Sequence, residues 1–184
     1  LLGKQVSTEL TKDQPLLKNH VKHGDSETIR EIINKANESL LSAKIPVFGN
    51  EKVEISCHYG IENFFNYGAL IIDKINREYC KKLIIMFPNQ KHPSHRHIKK
   101  EEAFELLSGD CSLVLNGKEI TLQRGRPVLI PREVKHSFST TNGCIIEEVS
   151  TTHYTGDSIY DDFEINSLKT SDRKIRISLK QVEK

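Results

Sequence analysis

Four residues of this chain have the types and the spacing of a metal site: His95, His97, Glu102 and His136. Three imidazoles and one carboxylate are ligands that a borderline divalent cation takes in proteins. Residues two apart share one face of a β-strand, whereas on a helix they diverge by about 200°. The pattern therefore predicts one divalent transition metal (Mn, Fe, Zn or Ni) on the inner face of a β-structure, with the carboxylate favouring Mn or Fe.

The sequence from Val53 onward predicts the β-structure that holds these ligands. Short runs rich in β-branched and aromatic residues alternate with turn signals, which is typical of a sandwich or barrel. Asn116-Gly117 between two such runs indicates a two-residue hairpin. Ahead of them, residues 25–43 predict one amphipathic helix whose partner is the outside of the following domain or a second copy of the chain. Its apolar stripe consists of Ile29, Ile32, Ile33, Ala36, Leu40 and Leu41.

The composition indicates one well-buried globular domain with room for a small appendage. The chain has 184 residues, of which 36% are hydrophobic and 28% charged. A net charge of +2, with basic and acidic residues interspersed, does not favour nucleic-acid binding. No apolar run approaches the ~20 residues of a membrane helix, so we expect no membrane partner. The cysteines (Cys57, Cys80, Cys111, Cys144) form no close pair, which predicts buried free thiols and a cytoplasmic location.

The steps between the candidate ligands resemble the two sequence motifs of the cupin superfamily. His95, His97, Glu102 and Gly109 match the first motif, and its six-residue step to Gly109 selects Glu102 rather than Glu101 as the carboxylate ligand. The second motif is matched by Gly125, Pro131 and His136, with Glu133 and Thr140 in place of its glycine and asparagine. The resemblance implies an all-β cupin double-stranded β-helix, a jelly-roll barrel with the metal inside, preceded by the one amphipathic helix. It also implies a homodimer.

The flanking segments resemble the C-terminal cupin region of sialic acid synthase-like proteins and, more distantly, the cupin-type D-lyxose isomerases. These segments are 57–64, 76–82, 90–95, 147–153 and 156–162, and residues 1–16 resemble the end of an antifreeze-like domain. The resemblance implies a module cut from a larger synthase chain, in keeping with a first residue that is not methionine. The expected units are the end of the antifreeze-like domain (1–23), a helical linker (24–45), the cupin barrel (46–160) and a C-terminal extension (161–184).

Six further residues are candidates for substrate binding or catalysis. His58, Tyr59, Lys81 and Gln90 could line the barrel mouth and bond sugar hydroxyls, or be ordinary polar groups. Glu148 and Glu101 are candidate catalytic bases. A one-residue shift in strand register reverses the face that a side chain occupies, so the sequence leaves the direction of these side chains open.

Two main functions remain open at this point. The first is a metal-binding module that senses or positions a small-molecule sugar or sugar-acid intermediate for an attached synthase. The alternative is a metal-dependent sugar isomerase or epimerase similar to D-lyxose isomerase. An iron oxygenase is a third possibility, although nothing else in the chain supports redox chemistry. An acid–base residue that is not a ligand, within reach of an open metal position, would distinguish the enzyme from the module.

Overall fold

The computed structural model describes residues 23–48 and 51–178, which form three α-helices and twelve β-strands. The helices are α1 His23–Ser42, α2 Phe64–Tyr67 and α3 Phe163–Ser167. The strands are β1 Lys52–Cys57, β2 Gly68–Asn76, β3 Tyr79–Met86, β4 Lys91–His97, β5 Glu102–Gly109, β6 Ser112–Leu115, β7 Lys118–Thr121, β8 Val128–Ile130, β9 His136–Ser139, β10 Cys144–Thr151, β11 Ser158–Tyr160 and β12 Lys174–Ser178. Within these ranges no helix is long and apolar enough to cross a membrane.

The strands form two antiparallel sheets that enclose a shared interior. The order is β12-β1-β2-β3-β10-β5-β8 in the larger sheet and β11-β4-β9-β6-β7 in the smaller one. Phe104 and Ile146 of the larger sheet lie in one buried cluster with Leu113 and Phe138 of the smaller sheet. The predicted all-β barrel preceded by one helix is confirmed.

The inner face of three neighbouring strands changes character along its length. On β10, Ile146 points inward into the apolar cluster, and two residues later Glu148 is also buried. The register pairs Glu148 with Lys82 of β3 and with Phe104 of β5, which lies two residues from Glu102. Because residues two apart share a face, the barrel interior is apolar towards one end and charged towards the other.

Helix α1 covers the outer face of the larger sheet. Ile29, Ile32 and Leu40 are buried in a second cluster together with Ile55 and Ile85, which face away from the interior. The apolar stripe of α1 therefore packs against the outside of the following domain, one of the two partners that we expected. Leu41, placed at the edge of that stripe, is 63% exposed.

The described part of the expected C-terminal extension, residues 161–178, includes strand β12. Strand β12 pairs with β1 along the edge of the larger sheet, with Ile175 opposite Ile55. Ile175 and Ile177 also pack against the cluster beneath α1. This segment is thus integral to the barrel sheet. The expected antifreeze-like unit falls almost entirely outside the described residues.

Two turns follow from local backbone chemistry. Asn116 and Gly117 have φ values of 46° and 84° between β6 and β7, so the predicted hairpin is confirmed. Glu133, which occupies the glycine position of the second cupin motif, also has a positive φ of 63°. Its N–H donates to the His97 carbonyl at 2.7 Å, which ties the turn before β9 to β4. The substitution of glycine has therefore kept the glycine-like backbone at this turn.

Candidate metal centre

The structure brings the four predicted ligands together inside the barrel. His95 and His97 lie on β4, Glu102 begins β5 and His136 begins β9, directly opposite His95. All four side chains are buried, and their potential ligand atoms lie within 4.8 Å of one another. The i, i+2 pair and the two cupin motifs thus converge on one point.

Backbone carbonyls orient two of the three imidazoles. His95 Nδ1 lies 3.0 Å from the Pro93 carbonyl oxygen, and His136 Nδ1 lies 3.0 Å from that of Val134. An N–H at each Nδ1 would donate to its carbonyl and leave the Nε2 lone pair for an ion. His97 Nδ1 lies 3.5 Å from Ser158 Oγ, and Asp157 Oδ2 is 3.7 Å away, beyond hydrogen-bond distance.

The polar atoms of this centre fit a divalent cation. Glu102 Oε1 and His136 Nε2 lie 2.9 Å apart, yet neither atom makes a hydrogen bond of acceptable angle among the described residues. Buried polar atoms without such bonds are costly, and coordination of a cation between them would remove that cost. Three imidazoles and one carboxylate suit Mn, Fe, Zn or Ni.

The pKa shifts put His95, His97 and Glu102 in their metal-binding protonation states. Burial lowers the pKa of His95 well below its usual value and, despite the nearby Glu102 carboxylate, that of His97 to about 4. Burial acts to raise the pKa of Glu102, but Lys100, His136 and His97 outweigh it and hold that pKa well below its usual range. Neutral imidazoles and an ionised carboxylate are the forms that coordinate metals.

A buried network of opposite charges adjoins the ligands. Lys100 Nζ contacts Glu102 Oε2 and lies 2.8 Å from Glu148 Oε1. Ser150 Oγ donates to Glu148 Oε1 at 3.0 Å, and Lys82 Nζ lies 3.8 Å away. Burial acts to raise the pKa of Glu148, but Lys100 and Lys82 outweigh it and lower that pKa. Glu148 is therefore an ionised carboxylate, not itself among the four ligands, one lysine away from the ligand Glu102.

Of the other candidates, Glu148 and His58 lie in the interior. His58 Nε2 is 2.7 Å from Tyr160 Oη, and the His58 ring is 4.8 Å from that of His92, which is 4.8 Å from that of His95. Burial, followed by the positive charges of Lys174 and Arg173, lowers the pKa of His58 to about 3. His58 is thus a neutral group one ring removed from a ligand.

The remaining candidates are engaged elsewhere. Lys81 has a side chain that is 44% exposed and pairs with Glu147 at 2.8 Å on the outer face. The Gln90 amide accepts from the Phe87 N–H at 2.6 Å and donates to the Phe64 carbonyl, so both of its ends anchor a turn.

Tyr59 and Glu101 also make their bonds away from the four ligands. Tyr59 Oη donates to Asp162 Oδ2 at 2.7 Å, and burial followed by this bond raises the pKa of Tyr59 to about 12. Glu101 bonds through its backbone to Thr151, and among the described residues no hydrogen bond or ion pair involves its carboxylate.

Sequence reasoning missed three important interior residues: Lys82, Lys100 and Asp157. Lys82 is the inward neighbour of Lys81, with only 6% of its side chain exposed. Lys100 lies two residues before Glu102, the spacing that places side chains on one face of an extended chain. That spacing was a usable signal for Lys100. Asp157 reaches the site through a loop, for which strand periodicity offers no guide.

Comparison with known proteins agrees with this architecture. Residues 82–144 match the Cupin domain family. Together with the two-sheet barrel and the buried His/Glu cluster, this match makes the chain a cupin.

Two similar proteins identify the family within the cupins to which the chain belongs. The D-lyxose ketol-isomerase of Thermofilum sp. is 30% identical over 128 residues, which cover 65% of this chain and 69% of that protein. The D-lyxose ketol-isomerase of Cohnella laeviribosi is 26% identical over 171 residues, covering 77% of this chain and 91% of that protein. The chain belongs to the D-lyxose ketol-isomerase family of cupins.

A solved structure shares the fold at lower identity. L-ribose isomerase from Cellulomonas parahominis, determined with L-ribose, superposes with a TM-score of 0.65 at 14% identity over 77% of this chain and 94% of that one. The expected link to sialic acid synthase-like proteins gains no support, because these relatives are sugar isomerases.

Proposed function

We propose that the protein is a metal-dependent aldose–ketose isomerase of monosaccharides. The observation that carries this proposal is the buried Glu148 carboxylate, which is held 2.8 Å from Lys100 beside the ligand Glu102. A binding module needs a pocket but no base, whereas an isomerase needs a carboxylate of this kind near the ion. The names of the relatives, D-lyxose ketol-isomerase and D-lyxose/D-mannose isomerase, support the same reaction class.

The reaction moves one proton between two adjacent carbons and needs no oxidant. A bound divalent ion supplies Lewis-acid polarisation of the sugar carbonyl and a template for two neighbouring oxygens. Glu148 Oε takes the proton from C2 of the aldose and returns it to C1, while the hydroxyl proton moves from O2 to O1. Before the first step and after the second, the positive charges of Lys100 and Lys82 keep Glu148 ionised, and between the steps they favour return of the proton to the sugar.

Between the two candidate bases we assign this role to Glu148. Its carboxylate lies in the interior network, where Ser150 and Lys100 restrict its orientation. Glu101, which is only half-buried, is bonded through its backbone. For the ion we propose Mn or Fe, since a carboxylate is part of the ligand set.

Deuterium incorporation at C2 tests this proposal directly. Metal-loaded protein is incubated with D-lyxose, D-mannose or L-ribose in D₂O, and the C2 proton and the ketose product are followed by NMR. We expect exchange for at least one sugar, and a loss of about a hundredfold to ten-thousandfold in Glu148→Gln with its metal retained.

Glu147→Gln is the matched control, because Glu147 lies on the same strand but pairs with Lys81 on the outer face. It should exchange protons like the wild type. Sugar binding with neither exchange at C2 nor formation of the ketose would overturn the isomerase proposal in favour of a binding module. A protein that never retains stoichiometric metal would overturn the metal centre itself.

A further inference from the structure

Three basic residues near the C-terminal end of the described chain meet at a small cavity in the barrel wall. This basic cluster consists of Arg173, Lys174 and Arg176, and the cavity is also lined by His153, Ser158 and Thr170. Lys174 Nζ and Arg176 Nε both contact the carboxylate of Glu54, at Oε1 and Oε2 respectively. Among the described residues, Glu54 is the one carboxylate that forms ion pairs within the basic cluster, and it pairs with Lys174 and Arg176 but not with Arg173.

Arg173 is the member of the basic cluster whose hydrogen bonds are incomplete. The residue is 6% exposed, and within the described ranges its Nε and Nη1 atoms are buried without a hydrogen-bond partner. Its guanidinium carbon lies 5.0 Å from the centre of the Tyr160 ring, a contact that does not satisfy Nε or Nη1. A buried charge in this state is strongly destabilising unless a ligand or water completes it, and a guanidinium fork matches an oxyanion.

Positive charges outweigh the nearby Glu148 carboxylate in their effect on His153. Burial, and then the charges of Lys82, Lys100 and Lys174, lower the pKa of His153 to about 4. These cations therefore act together on the space beside His153, and the histidine itself remains neutral. A divalent ion at the metal centre would add further positive charge, which favours an anionic ligand over a neutral one.

The cavity adjoins the metal centre. Ser158, one of its lining residues, has its Oγ 3.5 Å from Nδ1 of the ligand His97. The Tyr160 ring stacks on the His95 ring with centroids 5.2 Å apart, and Arg173 lies against that same tyrosine. The buried Tyr160 ring thus lies between the guanidinium and the His95 imidazole and contacts both.

We propose that the substrate is an acidic monosaccharide, whose phosphate or carboxylate is bound by Arg173 with Lys174 and Arg176 beside it while its carbonyl end lies at the metal centre. This rests on the proposed function for the identity of the ligand as a sugar. The anion-binding role itself depends only on the basic cluster and its unsatisfied guanidinium. It gives a function to the segment that we expected to be an extension of the barrel.

Binding measurements on the metal-loaded full chain test the proposal. Isothermal titration compares D-mannose 6-phosphate and D-mannuronate, each against D-mannose, so that the two arms separate phosphate from carboxylate. For at least one arm we expect the anionic sugar to bind about tenfold or more tightly than D-mannose, as for a charge-assisted bond. Arg173→Gln should lose this preference, so that the anionic sugar binds no more tightly than D-mannose.

Two further variants guard against a purely structural effect. Arg173→Lys keeps the charge without the planar fork and should retain part of the preference. Arg124→Gln removes an exposed arginine from the turn after β7 and should behave like the wild type. Equal affinity for charged and neutral sugars in the wild type would overturn the proposal. So would a preference that survives in Arg173→Gln, because the metal alone would then hold the anion.

These measurements distinguish failure of the anion-site proposal from failure of the isomerase proposal. Tight binding of an anionic sugar that loses its preference in Arg173→Gln, without proton exchange at C2, would support the anion site and exclude the isomerase. Exchange with neutral sugars, without a preference for anionic ones, would support the isomerase and exclude the anion site. Thermal unfolding of each variant confirms that the fold is retained.

Discussion

The same strands form both ends of the barrel interior, but one end is apolar and the other is charged. On β10, Ile146 contributes to the apolar cluster, while Glu148, two residues further on, lies among Lys82, Lys100 and Ser150. Because the two residues are two positions apart on a strand, both side chains point inward. The difference shows that period-two patterning determines which residues face the interior. Whether that interior is apolar or charged is decided by the side chains that the neighbouring strands place there.

The apolar end should carry most of the folding stability. Ile146 is fully buried, so Ile146→Ala should lower the free energy of unfolding by about 2–5 kcal/mol through lost burial and a residual cavity. Denaturant unfolding measures this loss. Val149→Ala, on the same strand but with an exposed side chain, is the control and should change stability by no more than about 0.5 kcal/mol. If Ile146→Ala weakened metal binding without reducing stability, the division between the two ends would fail.

The charged end should depend on charge balance rather than on volume. Lys100 lies between two buried carboxylates, so Lys100→Met should destabilise the metal-free protein by about 3 kcal/mol because it leaves Glu102 and Glu148 without their shared cation. Saturating Mn²⁺ should recover part of this loss, because the ion restores a positive charge beside Glu102. Chemical unfolding with and without Mn²⁺ measures both values.

Lys99→Met is the matched control for that experiment. Lys99 is the exposed neighbour of Lys100, with its Nζ over the Tyr154 ring, so its loss should change stability little and independently of Mn²⁺. Adding Glu148→Gln to Lys100→Met should restore part of the stability, since it removes one of the two carboxylates that lost Lys100. A double variant less stable than Lys100→Met alone would contradict the charge-balance account.

The contrast between the ends also explains what the sequence could predict. The metal ligands were predictable because an i, i+2 pair and the steps of two motifs are local properties. Lys82 was missed in favour of Lys81 because a single residue of register separates the inner face from the outer one. Gln90 and Arg173 depend on tertiary contacts, since the Gln90 amide is taken up by Phe87 and Phe64, and Arg173 reaches Tyr160 only because β12 pairs with β1.

A smaller effect, the dependence of stability on pH, should come from a neutral histidine held among the cations of the charged end. The folded-state pKa of His58 is about 3, lowered by burial and then by Lys174 and Arg173, with Glu54 opposing them weakly. In the unfolded chain an ordinary histidine takes up its proton below about pH 6.5. As the pH falls from that value towards 3, the unfolded state binds more protons, so folding stability decreases by up to about 1.4 kcal/mol per pH unit.

His58→Gln should therefore flatten the dependence of unfolding free energy on pH in this acidic window and leave it unchanged above about pH 7. The free energy of unfolding of the metal-free protein is measured with denaturant at several pH values. The value for the variant is subtracted from that for the wild type, so that the contributions of the other buried histidines cancel. Tyr59→Phe is the control: the pKa of Tyr59 is about 12, so its difference from wild type should be constant between about pH 4.5 and 7. If the His58→Gln difference were equally constant, the pKa of His58 would be the same in the folded and unfolded states. The positive charges of Arg173 and Lys174 would then not act on its imidazole.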